Sequence, residues 1–174
     1  MNKALLLDRD GVVNVEKNYV HRIEDFEFLD GIFPLCKRFQ DEGFLVLVTT
    51  NQAGIARGLY TLEDLLRLNA WMTGRFADQG IRLARIYHCP HHPDFTGECA
   101  CRKPNPGMLL QARDDFDLAL SESVLLGDKE SDLEAGRRAG VLHLGLVRGR
   151  TAIESIQLGH GPLLHPDDLP GAIA

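Results

Sequence analysis

The stretch LLLDRDGVVN, residues 5–14, drives three leucines straight into Asp8, with Asp10 and Gly11 close behind. Such a run is either a strand leaving the core for water, or a strand that delivers two carboxylates to a shared positive partner. The surrounding pattern favours a strand. Short apolar runs recur at 3–7, 44–49, 81–87, 123–126 and 141–147, short enough and β-branched enough for buried strands. Amphipathic stretches separate them at 31–42, 61–79, 106–118 and 131–139. Thr61 and Pro106 stand at helix starts, and Gly43, Gly80 and Gly140 just past helix ends. Strands alternating with helices predict an α/β fold, a doubly wound (Rossmann-like) parallel sheet with helices on both faces. The tail GHGPLLHPDDLPG, residues 159–171, reads as turns with one short helix.

At 174 residues and 44% hydrophobic content, the chain suits one core and a single domain spanning 1–174. A net charge of −6 provides no global attraction for nucleic acid or anionic lipid. A local cluster or a bound metal can still reverse that sign at one place. The N-terminus lacks the pattern of a signal peptide, and no apolar run approaches membrane-helix length. The expected location is cytoplasmic, where thiols stay reduced.

In an open parallel sheet, ligands bind outside the carboxyl ends of the strands. Three proposed strands end on polar groups: Asp8 and Asp10, then Thr50 and Asn51, then Asp128 and Lys129. All three ends face one edge, so Asp8, Asp10, Asp128 and Thr50 can converge from distant parts of the chain. Crowded carboxylates need compensation, and Mg²⁺ is a hard cation suited to a few carboxylates and phosphate oxygens. Asp8 can then serve as a nucleophile towards phosphorus, with Asp10 as the proton donor and acceptor. Alone, the D-x-D pair is weak evidence, since two solvated acids at a strand exit are commoner than a nucleophile–acid pair.

The segment HCPHHPDFTGECACRKP, residues 88–104, spaces Cys89, His91, Cys99 and Cys101 as two close pairs across a short loop. That spacing suits a tetrahedral structural Zn²⁺ site. His92 competes with His91 for the fourth position, and a redox thiol set or plain loop cysteines are the other readings. Cys36 stands apart, as a small core residue.

Taken together, LLLDRDGVVN, VLVTTNQAGIARG, CRKPNPGM and VLLGDKESD resemble the successive motifs of the haloacid dehalogenase superfamily of phosphatases, from residue 5 to about residue 140. The cysteine insert, with YVHRIEDFEFLDG and CACRKPNPGMLLQAR, is similar to one branch, the D,D-heptose 1,7-bisphosphate phosphatases and the related histidinol-phosphate phosphatases. The resemblance implies Asp8 as nucleophile and Asp10 as general acid and base. It places Thr50 and Asn51 on the transferring phosphoryl group and Lys103 against its charge. Mg²⁺ would sit on Asp8, Asp128 and the backbone carbonyl of Asp10. Zn²⁺ would sit on Cys89, His91, Cys99 and Cys101. Arg102 would grip a second phosphate, and Glu16, Lys17, Asn18, Tyr19, Gln52 and Lys129 would complete the substrate contacts. Ala53 departs from the serine common in the family, which leaves that one contact in doubt.

The length leaves no room for a cap domain, so the crevice should stay open and rely on short loops. The implied activity is Mg²⁺-dependent removal of the C7 phosphate of D-glycero-D-manno-heptose 1,7-bisphosphate through an aspartyl-phosphate, on the route to ADP- or GDP-heptose and bacterial surface glycans. Histidinol-phosphate phosphatase is the alternative. The expected partner is a small sugar bisphosphate, not nucleic acid or a membrane, and the chain is read as a monomer.

Overall fold

The computed structural model describes residues 1–149, together with the backbone of 156–158 and 163–164. In chain order the elements are β1 (Ala4–Leu7), α1 (Ile32–Asp41), β2 (Leu45–Asn51), α2 (Leu62–Asp78), β3 (Leu83–Cys89), α3 (Pro93–Thr96), α4 (Gly107–Phe116), β4 (Val124–Gly127), α5 (Glu130–Ala139), β5 (His143–Val147), β6 (Ile156–Leu158) and β7 (Leu163–Leu164). The sheet order is β3-β2-β1-β4-β5-β6-β7. The first five strands are mutually parallel, as expected of a doubly wound sheet.

Every residue of β1 is buried, because helices cover both faces of the sheet. Side chains alternate across the strands. Leu5, Leu7, Val46, Val48 and Leu126 pack with Ile32, Phe39, Leu68, Met72 and Phe76 of α1 and α2. Leu6, Leu47 and Leu125 pack on the other face with Met108, Leu109, Leu133 and Ala135 of α4 and α5. Helix α2 begins with a reciprocal cap between Thr61 and Asp64, which satisfies amide donors left open at a helix start. No helix among the described residues is long and apolar enough to cross a membrane.

Two features differ from the sequence reading. The ladder between β2 and β3 runs on through Thr50 with His88 and Asn51 with Cys89, past the apolar ends at 49 and 87. Polar side chains do not interrupt backbone pairing, so apolarity marks the strand ends too early. After β5 the chain adds two strands, of which β7 falls within 159–171, where turns and a helix were expected. β6 pairs antiparallel with β5, and β7 antiparallel with β6. A parallel return needs a crossover of about a dozen residues or more, and 148–155 is too short for one. The remainder of 159–171 lies outside the described residues.

Chain direction makes β1 and β4 the pair that matters. From β1 the chain moves outward through β2 and β3, then returns to lay β4 on β1's other side. The carboxyl ends of β1 and β4 therefore flank the switch point, where a crevice opens. The amide of Asp8 still donates to the Leu126 carbonyl at 2.9 Å, so its side chain emerges at that point.

Phe76 tests the α2-covered face, since it is fully buried and packs edge-on to Phe33 with ring centres 5.0 Å apart. Phe76→Ala should lower unfolding free energy by about 3–5 kcal/mol in a urea titration.

Candidate active site

Three carboxylates gather at the switch point. Asp8 follows β1, Asp128 follows β4, and Asp132 lies in the first turn of α5; one oxygen from each falls within 4.8 Å of the others. Lys103 reaches into the group from the loop after β3. Its Nζ lies 2.9 Å from Asp8 Oδ1 and 2.6 Å from Asp132 Oδ1, and donates to the Thr49 carbonyl at 2.9 Å. Lys103 is only 4% exposed, so this is a buried ion cluster. Asn51 fixes the lysine's main chain: its Oδ1 accepts from the Lys103 amide at 3.0 Å, and its Nδ2 donates to the Lys103 carbonyl at 3.2 Å.

Asp132 is one of the site residues that the sequence reading did not single out. Its Oδ2 accepts from the amides of Asp128 and Lys129 at 3.2 and 3.1 Å, while its Oδ1 meets Lys103. One side chain thereby shapes the Asp128 turn and orients the lysine. The available signal was the spacing DKESD, which sets a second aspartate near the helix start, in line with the strand-terminal one.

The electrostatics show an excess of negative charge. Burial pushes the Asp8 carboxyl well above its usual range; Lys103 opposes this, and Asp132 and Asp10 add to it. Burial also raises the Asp128 carboxyl, and the neighbouring Asp132 adds to it. Burial alone would depress Lys103, but Asp8 and Asp132 outweigh it and hold the ammonium charged well beyond its usual range. Lys103 pairs with Asp8 and Asp132, while Asp128 Oδ1 is buried with no partner among the described residues. An orphan oxygen in an anionic cluster is what a hard divalent cation satisfies. The residues present fit such an ion.

Gly11 makes the approach possible. A Cβ there would stand 2.1 Å from Asp128 Oδ2, and its φ of +89° is one that L residues rarely adopt.

The remaining sequence candidates divide. A crevice of about 490 Å³ is lined by Asp8, Asp10, Glu16, Asn18, Tyr19, Asn51, Gln52, Arg102, Lys103 and Lys129, with Tyr60 and Ser131, which the sequence did not single out. Lys17 is not among the lining residues; its Nζ pairs with Glu27 at 2.9 Å. Asn18 and Tyr19 both hold left-handed backbone conformations, with φ of 59° and 56°, a costly arrangement for side-chain-bearing residues bordering a site. Thr50 is buried, and its Oγ1 accepts from Gln52 Nε2 at 2.8 Å. The Asp10 carboxylate is turned towards Arg9, Asn14 and Gln52.

The thiols form a second cluster. Cys101 Sγ lies 2.7 Å from Cys89 Sγ and 3.6 Å from Cys99 Sγ, and Cys89 and Cys99 are 3.6 Å apart. Cys89 is the last residue of β3, so one thiol is anchored in the sheet. Burial raises the thiol of Cys89 far above its usual range; at Cys99 the amide of Arg102 helps to outweigh burial and lower it. Three soft donors gathered in this way suit a thiophilic metal. The His91 ring is not among the grouped donors, although its carbonyl accepts from Arg102 Nη1 at 3.4 Å. The His92 ring is used elsewhere, its Nδ1 accepting from the Asp94 amide at the start of α3.

The family model for HAD-hydrolase-like proteins matches residues 100–172. Fold and site together define a hydrolase of the haloacid dehalogenase type. Over 145 residues the chain is 52% identical to the D-glycero-alpha-D-manno-heptose-1,7-bisphosphate 7-phosphatase of Campylobacter jejuni, covering 83% of this chain and 82% of the relative. It is 46% identical over 150 residues to the corresponding beta-heptose enzyme of Yersinia pestis, covering 83% and 80%. Among solved structures, the D,D-heptose 1,7-bisphosphate phosphatase from B. bronchiseptica, complexed with magnesium and phosphate, superposes with a TM-score of 0.77 at 32% identity, covering 86% of this chain and 90% of that one. The chain belongs to the D-glycero-D-manno-heptose-1,7-bisphosphate 7-phosphatase family.

Gly11→Ala should displace Asp128 and reduce metal-dependent phosphatase turnover by roughly a hundred-fold or more, since misplacements of about 1 Å carry costs of that order. A magnesium titration of the variant that returns the wild-type curve would contradict this role.

Proposed function

We propose that this chain hydrolyses the C7 phosphate of D-glycero-D-manno-heptose 1,7-bisphosphate, leaving the heptose 1-phosphate. The observation that carries the reading is the buried Asp8, held 2.9 Å from Lys103 and grouped with Asp128 at the switch point, in a chain 52% identical to the Campylobacter jejuni enzyme. An Asp8 carboxylate oxygen attacks phosphorus while the bond to the sugar oxygen breaks, and Asp10 gives a proton to that departing oxygen. Water then attacks the phosphoaspartate, Asp10 takes its proton, and the bond to Asp8 breaks to release phosphate. Lys103 lies against the negative charge that passes over the phosphoryl oxygens, with Thr50 and Asn51 beside it. Asp8, Asp128 and the backbone carbonyl of Asp10 would hold Mg²⁺, which supplies further charge compensation when bound. Asp132 acts through Lys103 and the Asp128 turn.

The crevice suits a sugar with phosphate at both ends. Arg102 and Lys129 line it together with Lys103, and a guanidinium grips phosphate in a fork. Glu16, Asn18 and Tyr19 also line it and would meet the sugar hydroxyls. Cys89, Cys99 and Cys101, with His91 as fourth ligand, would hold Zn²⁺ and thereby fold the segment that delivers Arg102 and Lys103.

A panel of both heptose bisphosphate anomers and histidinol phosphate, each with and without Mg²⁺, tests this reading. Asp8→Asn should lower phosphate release by roughly a thousand-fold or more while nearly preserving shape. Faster turnover of histidinol phosphate would reassign the substrate, and wild-type release by the variant would end the covalent mechanism.

Elemental analysis should find about one zinc per chain, with Cys99→Ser losing it and melting at lower temperature. Fully active metal-free protein would contradict the zinc assignment.

A further inference from the structure

Arg9 is the most unusual side chain outside the carboxylate cluster. It lies between Asp8 and Asp10 in the chain, yet its guanidinium is fully buried. Nη2 bonds both oxygens of Asp10, at 2.8 and 3.1 Å, and the carbonyl of Val20 at 2.6 Å. Nε and Nη1 find no partner among the described residues, and Phe26 faces the guanidinium at 5.9 Å. Burying a charge this way costs stability unless something requires it. Asp10 is its ion-pair partner, so the requirement points to Asp10.

A second arm reaches the same carboxylate. Gln52 Nε2 donates to Asp10 Oδ2 at 3.2 Å and to Thr50 Oγ1 at 2.8 Å. An amide can flip, and Tyr60 decides its sense by donating its hydroxyl to Gln52 Oε1. Gly54 leaves room for this, since a Cβ there would stand 2.1 Å from the Tyr60 ring. The ring also stacks on His21, centres 4.8 Å apart, and His21 Nδ1 lies 2.7 Å from the Tyr19 carbonyl. Both arms therefore end on consecutive carbonyls, Tyr19 and Val20, at the end of the loop that lines the crevice.

We propose that Arg9 and the Gln52–Tyr60 pair are positioning residues that act through Asp10, aiming its carboxylate at the leaving oxygen and tying that aim to the Glu16–Val20 loop. The proposal rests on Asp10 being the proton donor. A carboxylate held at both oxygens cannot swing about its last torsion, and donor geometry governs proton transfer. Arg9→Lys keeps the charge, but its side chain ends one atom short of Nη2, the single nitrogen that meets both Asp10 oxygens and the Val20 carbonyl. Tyr60→Phe leaves the stack and removes the donor that orients Gln52.

The test uses aryl phosphates from p-nitrophenyl to unsubstituted phenyl, with kcat/KM read for wild type, Arg9→Lys, Tyr60→Phe and Asp10→Asn in saturating Mg²⁺. A poor leaving group needs the proton more, so misaiming Asp10 should cost phenyl phosphate about ten-fold more than p-nitrophenyl phosphate, in the same direction as Asp10→Asn. Loss of stability alone would lower all substrates equally. A uniform loss in Arg9→Lys and Tyr60→Phe, beside a leaving-group-dependent loss in Asp10→Asn, would overturn the proposal and leave the acid assignment intact. A uniform loss in Asp10→Asn would remove the acid assignment and the proposal with it. If Arg9→Lys fails to fold, Tyr60→Phe decides.

Discussion

The constraint behind this molecule is charge: Asp8, Asp128 and Asp132 are brought within reach of one another with Lys103 as the ammonium among them. Like carboxylates in a buried setting repel and resist ionisation, and a buried pair offsets its desolvation only with tight geometry and further hydrogen bonds. The fold provides both. Parallel neighbours β1 and β4 aim two aspartates at one point, and α5 supplies a third, turned back to accept from the Asp128 and Lys129 amides just before the helix. Lys103 is held along its whole length, by Asn51 at the main chain and by Thr49, Asp8 and Asp132 at the ammonium. The site still has one buried oxygen to spare, at Asp128, and that surplus is its chemical capacity.

This arrangement joins two clusters that look separate. Cys101 precedes Lys103 by two residues, and Asn105 Nδ2 donates to the Cys99 carbonyl at 2.8 Å, closing the loop on itself. Order among the thiols is therefore transmitted over a few bonds to the buried lysine. The loop's thiols border the hydrophobic core, with Cys89 buried in it and Cys99 and Cys101 packed against it, so the same segment joins the core to a buried charge.

Most of the fold was legible because burial and periodicity speak locally. Runs such as ALLL and VLLG are apolar on both faces, which only a covered parallel sheet requires. Asp8 and Asp128 were visible for the same reason, since each ends such a run. Less legible was whatever depends on where a polar side chain turns. Asp132 reads as an ordinary acid in a first helical turn until Lys103 is seen against it. Gln52 reads as a crevice residue, yet its amide is engaged with Asp10, Thr50 and Tyr60. Lys17 reads as part of the substrate loop, yet faces Glu27. Sequence spacing places such residues near the crevice without stating which neighbour will satisfy their bonds.

The borders of the sheet carry their own consequence. Any open strand is a template for a stranger's backbone, and long, flat borders invite fibres. On one side β3 carries exposed Arg85, with exposed Arg82 just before it, and its ladder to β2 is shifted in register between Val46 and Leu47. On the other, the sheet reverses direction and dwindles to the two residues of β7. Charge and irregularity guard the first margin, brevity the second. Both features disfavour edge-to-edge pairing between copies of a protein whose interior is built from near-continuous aliphatic runs.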